Sequence, residues 1–338
     1  MPVLLIIGFI NQCLNIWTLN TMRAAAYLYL KGSAIADILS IFALIPFCLR
    51  HGGYSDEHSY LIMFYHAHLE LPIINSLITA SALCLVVMTV DRYLSIRYPI
   101  VFHNSSGARS RIRNTVFLLY FIAFIVFLPS GIQKVLIGTP DSEDAFNRTI
   151  WKVERNHTIN RSIGFIIYLY FRETIARIGP IIILVVLNLG MIRSLQQIDD
   201  TRRARASAAA IPTVARQNRQ REDRRRILVL LFITSATFVL CTLPASALSF
   251  FIDHSHKSIG LQIFRAFANC LQVSHYLPHL FLYMLCSIEY RHAFYKLIGC
   301  DTPNSSQTTA DSPTYRLSST VIGRNMNYSK NIKKRRKV

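Results

Sequence analysis

The sequence predicts an all-α fold, a bundle of seven membrane-crossing helices followed by a short amphipathic eighth. Three observations carry that expectation. The 338 residues are 52% hydrophobic and only 16% charged, and a mean hydropathy of +0.32 is too apolar for a soluble chain of this length. Uncharged runs close to the ~20 residues that cross a bilayer as helix recur along the whole chain. Strand-period alternation is not evident, which argues against a membrane barrel.

The runs fall at 2–19, 26–49, 60–94, 113–136, 163–194, 226–252 and 260–287. The first begins at the initiator but lacks the basic start and small-residue cleavage pattern of a secretory leader, so it reads as a span. The second holds one acid, Asp37, in mid-run, and the third ends at an adjacent acid and base, Asp91 and Arg92. The fourth follows Arg109, Arg111 and Arg113; the fifth and sixth carry Pro180 and Pro244. After the seventh, Phe294, Leu297 and Ile298 share a face with Arg291 and Lys296 toward headgroups, the pattern of an interfacial helix.

A net charge of +19 and a pI near 9.9 would suggest nucleic acid in a soluble protein, but the basic residues are sorted by loop. Arg97, Arg109, Arg111 and Arg113 follow the third span, Arg202 to Arg226 supply nine arginines after the fifth, and Lys333 to Lys337 end the tail. All fall on one side of a seven-span chain, which makes that side and the C-terminus cytoplasmic and excludes a nucleic-acid partner. The opposite side is mixed in sign and holds three sequons, at Asn147, Asn156 and Asn160, in one loop. Seven cysteines lie in or beside apolar runs without the paired spacing of a metal or redox site, so no metal and no cofactor is expected.

Charges at the mouth of a span are costly unless paired, so Asp91 is expected to hold Arg92 until something draws the arginine away. Around this point the chain resembles the class A, rhodopsin-like G-protein-coupled receptors. Asp91-Arg92-Tyr93 is similar to the family's Asp-Arg-Tyr motif, Ser33-Ala34-Ile35-Ala36-Asp37 to its second-helix segment, Phe238 with Cys241-Thr242-Leu243-Pro244 to its sixth-helix switch, and His279-Leu280-Phe281-Leu282-Tyr283 to the end of its seventh helix. The resemblance implies an activation switch of Asp91, Arg92, Tyr93, Phe238, Pro244 and Tyr283, and a sodium-like site of Asp37, Ser81 and His279. It departs from the family at Thr242, where a tryptophan is usual, at His279-Leu280 in place of Asn-Pro, and at Ala67, where a disulfide cysteine is usual. Asn11 or Gln12 stands at the polar position of the first helix.

Resemblance at Tyr65-His66-Ala67-His68-Leu69-Glu70 and at Cys241 to Pro244 extends to invertebrate receptors for FMRFamide-like and myosuppressin-like neuropeptides. It implies an extracellular peptide ligand whose arginine meets an acid, with Glu70, Arg172, Glu173, Arg177, Gln272 and His275 as ligand-binding candidates. Glu173 is also placed to pair with Arg177, four residues on. The resemblance further implies a heterotrimeric G protein, arrestin and receptor kinases as partners besides the lipid bilayer, at the plasma membrane. Residues 1–299 form the receptor domain, Cys300 is a palmitoylation candidate, and 300–338 read as a disordered cytoplasmic tail. The chain is not expected to be an enzyme. The alternatives are a polytopic transporter, for which no internal repeat is found, and a receptor for a non-peptide chemosensory ligand.

Overall fold

The computed structural model describes residues 2–22, 27–54, 58–97, 108–140, 149–206, 214–251 and 259–299, with side chains between 198 and 228 outside that description. Two compact units divide the chain, Met1–Phe294 and Tyr295–Val338. Cys300, the tail from 300 to 338 and Asn147 lie outside the described residues, as do the side chains of Arg202 to Arg226.

Among the described residues, six helices are long and apolar enough to cross a bilayer: Pro2–Thr21, Tyr27–Arg50, Tyr60–Ser95, Arg109–Ile132, Ile163–Ser194 and Val229–Leu248. The seventh crossing is two shorter helices, Ile259–Ser274 and Pro278–Cys286. The run read as one span over 260–287 is therefore broken at residues 275–277, where Pro278 has no N–H to continue the ladder and opens the second piece instead. A last helix, Ile288–Ile298, buries Tyr290.

Burial separates the helices by role. The third crossing has 61% of its apolar window inside the protein and the fourth only 22%, so the third is the central strut. The fourth turns Phe117, Phe121 and Ile125 outward, where lipid is their natural solvent. The third and fifth crossings each pass through a π-turn, Tyr65–Leu69 and Thr174–Ile178. Each contains the residue four before a proline, His68 before Pro72 and Ala176 before Pro180. A proline ring collides with that carbonyl in a regular helix, and the widened turn relieves the collision.

Two expectations need correction. The fourth span was expected to reach 136, but its helix tightens to a 3-10 turn over Leu128–Ile132. Residues Lys134–Pro140 then form strand β1, paired antiparallel with β2, Thr149–Arg155, in the register Lys134 to Arg155. Alternation is thus present in this one loop. The hairpin lies against the start of the third crossing: the Trp151 ring meets Tyr60 edge-on at 5.0 Å, and His68 donates from Nδ1 to the Gly131 carbonyl at 2.6 Å. Gly131 is required there, since a Cβ would lie 2.8 Å from the His68 carbonyl oxygen. Aromatic packing and a backbone bond hold what a disulfide usually ties, and the described cysteines, Cys13, Cys48, Cys84, Cys241 and Cys270, are all free.

Among the described residues, two larger apolar clusters fill most of the bundle. One gathers Leu5, Ile41, Leu44, Ile74, Val273 and Tyr276 nearer the hairpin. The other gathers Leu19, Leu85, Val86, Leu184, Leu231, Phe238, Tyr283 and Tyr290 toward the opposite end. On their helices the buried polar residues Gln12, Asp37 and His279 fall between the two clusters in sequence, and the buried His275 lies at the inner edge of the hairpin-side cluster, between Val273 and Tyr276.

Candidate functional site

At the hairpin end, the second, third, fifth, sixth and seventh crossings and the 3-10 end of the fourth line a cavity of about 320 Å³. Its apolar walls include Phe47, Ile74 and Leu248, and its polar groups include Asn75, Arg172, Glu173, Arg177, Arg265 and Gln272. The π-turn in the fifth crossing brings Arg172, Glu173 and Arg177 together on the cavity side. Glu173 Oε1 accepts from Arg172 Nη2 at 2.6 Å, and Glu173 Oε2 lies 3.3 Å from Arg177 Nη1. Arg172 also donates to Ser130 Oγ at 2.8 Å, and Arg177 to Asn75 Oδ1 at 3.2 Å.

Four of the six ligand-binding candidates, Arg172, Glu173, Arg177 and Gln272, line this cavity. Glu70 and His275 do not. Glu70 is fully buried beside the cavity, bound to His66 Nδ1 on its own helix and to Arg50 Nη2 at 3.2 Å; a carboxylate that deep is tolerable only with such partners. The Arg50–Glu70 pair also acts on Lys134 in β1, whose ammonium is pushed below its ordinary pKa first by burial and then by Arg50, with Glu70 opposing. Glu173 needs a further correction: both its oxygens already face guanidinium groups of the protein, so it is not a vacant acceptor for a ligand arginine.

His275 belongs to a polar layer deeper in the bundle. Its Nδ1 meets the Gln272 carbonyl, and its Nε2 stands 4.0 Å from Asp37 Oδ1. Asp37 is fully buried and accepts from Gln12 Nε2 at 3.0 Å, with His279 Nδ1 3.4 Å away. Gln12 donates as well to the Tyr276 carbonyl at 3.2 Å and accepts from Asn15 at 3.2 Å, while Asn11 donates to the Leu277 carbonyl at 3.1 Å. The choice between Asn11 and Gln12 thus resolves: Gln12 reaches Asp37, and both brace the break in the seventh crossing. Ser81, expected beside Asp37, shares a 2.8 Å hydrogen bond with Ser33 instead. Nitrogen groups surround the carboxylate where a hard cation would need oxygens.

From this layer a line of rings leads to the far end. Phe238 meets His275 edge-on at 5.9 Å. His279 stacks on Tyr283 at 6.0 Å, Tyr283 meets Tyr290 at 5.5 Å, and the Tyr290 hydroxyl donates to Asn15 Oδ1 at 2.9 Å. Thr242, where the family usually has tryptophan, turns its hydroxyl back to the Phe238 carbonyl at 2.7 Å, beside Pro244 within the same helix. At the end of the third crossing, Asp91 and Arg92 make no ion pair among the described residues, and Arg92 Nε is buried without a hydrogen bond. The expected acid–base clasp is open here. Tyr93 packs flat enough on the fifth crossing that a Cβ on Gly190 would lie 3.2 Å from its ring.

A central third helix, a proline-broken seventh and a buried acid between two apolar clusters are the frame on which comparison with known proteins bears. The family model for the 7 transmembrane receptor (rhodopsin family) matches residues 10–289. The chain belongs to this family. It is 49% identical over 94% of its length to a Caenorhabditis elegans protein named Probable G-protein coupled receptor AH9.1, covering 79% of that protein. A second C. elegans protein, Probable G-protein coupled receptor B0563.6, is 27% identical over 89% of the chain and 68% of its own length. The Adenosine receptor A2b of Gallus gallus is 30% identical, over 41% of this chain and 40% of its own. Membership makes this rhodopsin-family receptor a multi-pass membrane protein that answers an extracellular ligand and couples to G protein. The receptor's own particulars at the site are Asn15, Arg50, Ser130 and Arg265, which the sequence reading did not single out, and Gln12, which it named only as an alternative to Asn11. A polar residue inside an apolar run was the available signal for Asn15 and Ser130; Arg50 and Arg265 sit at helix ends, where arginine is ordinary.

Proposed function

We propose that the hairpin end of this receptor faces the outside of the cell and that a peptide enters its cavity, with the Arg92 end and the C-terminus in the cytoplasm at the plasma membrane. The observation that carries the reading is continuity. Gln272 lines the cavity, its carbonyl holds His275, and His275 leads through Asp37 and His279 to Tyr283 and Tyr290. A ligand that moves the outer half of the seventh crossing therefore strains the layer at the 275–277 break, and the rings below it shift against Asn15 and the first helix. Such a two-state element is what a signal needs.

The sorting of arginine to the Arg92 side and the sequons near the hairpin support the sidedness. Asn156 caps a short helix through Ile159 N–H, and Asn160 donates its amide nitrogen to the Gln133 carbonyl at 2.9 Å; a glycan on Asn160 would need that bond undone, so Asn156 is the better acceptor of the two. The resemblance to FMRFamide-like receptors supports a peptide class of ligand. In the active state the cytoplasmic ends of the third, fifth and sixth crossings offer the surface for a heterotrimeric G protein, with receptor kinases and arrestin acting on the Ser- and Thr-rich tail. The test is a neuropeptide panel on transfected cells, read by calcium and cyclic nucleotide. At least one peptide should raise a saturable response that Gln272→Leu weakens; a panel silent on cells with verified surface expression would contradict the reading.

A further inference from the structure

We propose that the hairpin-end cavity is an anion site: the group that seats against the fifth crossing is a carboxylate or a similar acid, held by Arg177 and Arg265. This rests on the receptor reading and names its ligand chemistry. Three guanidinium groups, Arg172, Arg177 and Arg265, line the cavity with one carboxylate, Glu173. Glu173 is divided between Arg172 at 2.6 Å and Arg177 at 3.3 Å, and Arg265 has no ion pair among the described residues. Among the described lining residues guanidinium groups outnumber carboxylates by two, and between apolar walls, where water screens poorly, that excess attracts an entering acid more strongly than an open surface would.

Hydrogen-bond chemistry points the same way. Arginine is donor-only, and the amides of Gln272 and Asn269 add donors at the same wall. Planar, forked donors suit a carboxylate above other groups of this size. An amidated peptide ending in arginine and phenylalanine brings a cation and no acid, so this charge balance departs from what the FMRFamide-like resemblance implies for the seated end. A peptide with a free C-terminal carboxylate and a small organic acid share the chemistry that fits.

The full chain in nanodiscs of neutral lipid, at constant ionic strength, separates the cases by its thermal unfolding midpoint. The probes are succinate against succinamide, and Phe-Met-Arg-Phe with a free carboxylate against its amide. An acid should raise the midpoint at a concentration at least about tenfold lower than its neutral partner. Arg265→Gln should bring that ratio toward one, while Arg265→Lys keeps most of it. Stabilisation by the free-acid peptide points to a peptide terminus; stabilisation by succinate alone points to a small acid. The proposal is overturned if the neutral partners match the acids, if no probe stabilises the protein, or if Arg265→Gln leaves the ratio unchanged. Failure of the receptor reading looks different: acid-dependent stabilisation would persist while every peptide in the cell assay stayed silent.

Discussion

Replacing Gln12 with leucine tests the polar layer that joins cavity to rings. The side chain is fully buried, and leucine nearly matches its volume, so steric change is small. Its amide nitrogen lies 3.0 Å from Asp37 Oδ2, 3.2 Å from the Tyr276 carbonyl and 3.0 Å from His279 Nδ1, and its oxygen accepts from Asn15. Substitution strips a donor from a carboxylate, a donor from a carbonyl at the helix break and an acceptor from Asn15. The three buried groups so abandoned cost about 1–3 kcal/mol each, offset by about 1.5–3 kcal/mol from burying the leucine, for a net loss of about 4 kcal/mol. Asn11→Leu, which removes one bond to the Leu277 carbonyl, should cost about 1 kcal/mol. Unfolding followed by a thiol-reactive dye reports directly, because Cys84 is fully buried in the fold. The Gln12→Leu midpoint should fall by several degrees and by more than twice the Asn11→Leu shift. Equal shifts, or none, would refute the view that Gln12 organises the layer.

Gly131→Ala places a Cβ 2.8 Å from the His68 carbonyl oxygen and should cost about 1–3 kcal/mol, read as a lowered unfolding midpoint. Trp151→Ala removes the edge-on contact with Tyr60; hydrogen exchange across Lys134–Pro140 should quicken several-fold while the spanning helices stay protected. Lys134 gives a pH dependence whose sign is set by its lowered pKa. The folded state binds its proton less readily than the unfolded chain, so stability rises as pH climbs from the folded pKa toward 10.5, the ordinary lysine value. Lys134→Met should flatten that rise in a titration of unfolding midpoint.

Much of the bundle was legible because lipid is a demanding solvent: a run without charge near the ~20-residue length has few fates besides crossing. Asp37 was legible for the same reason, as a lone acid inside such a run. The break at 275–277 was signalled by Pro278 and missed, because the surrounding residues stay apolar enough to read as one continuous span. The hairpin was missed because its two strands are seven residues each and sit in a loop, where span-scale hydropathy averages them away. At the cavity, sequence spacing placed Glu173 and Arg177 on one face but not Arg172 with them; the π-turn supplies that, and its trigger, Pro180, acts through sterics that a periodicity count does not register. Glu70 read as an available acid, but Arg50, from another helix, and His66, four residues before it, already satisfy it; for Glu173 the spacing showed the pairing with Arg177 but not the second partner, Arg172.

The account depends on the hairpin-end cavity opening to the extracellular side. Asn269 lines that cavity and is exposed, so Asn269→Cys can be labelled on intact cells with a membrane-impermeant maleimide, over the background of the unsubstituted chain. Labelling without permeabilisation, slowed by Phe-Met-Arg-Phe free acid, is the expected result; labelling that appears only after the cells are opened would contradict it.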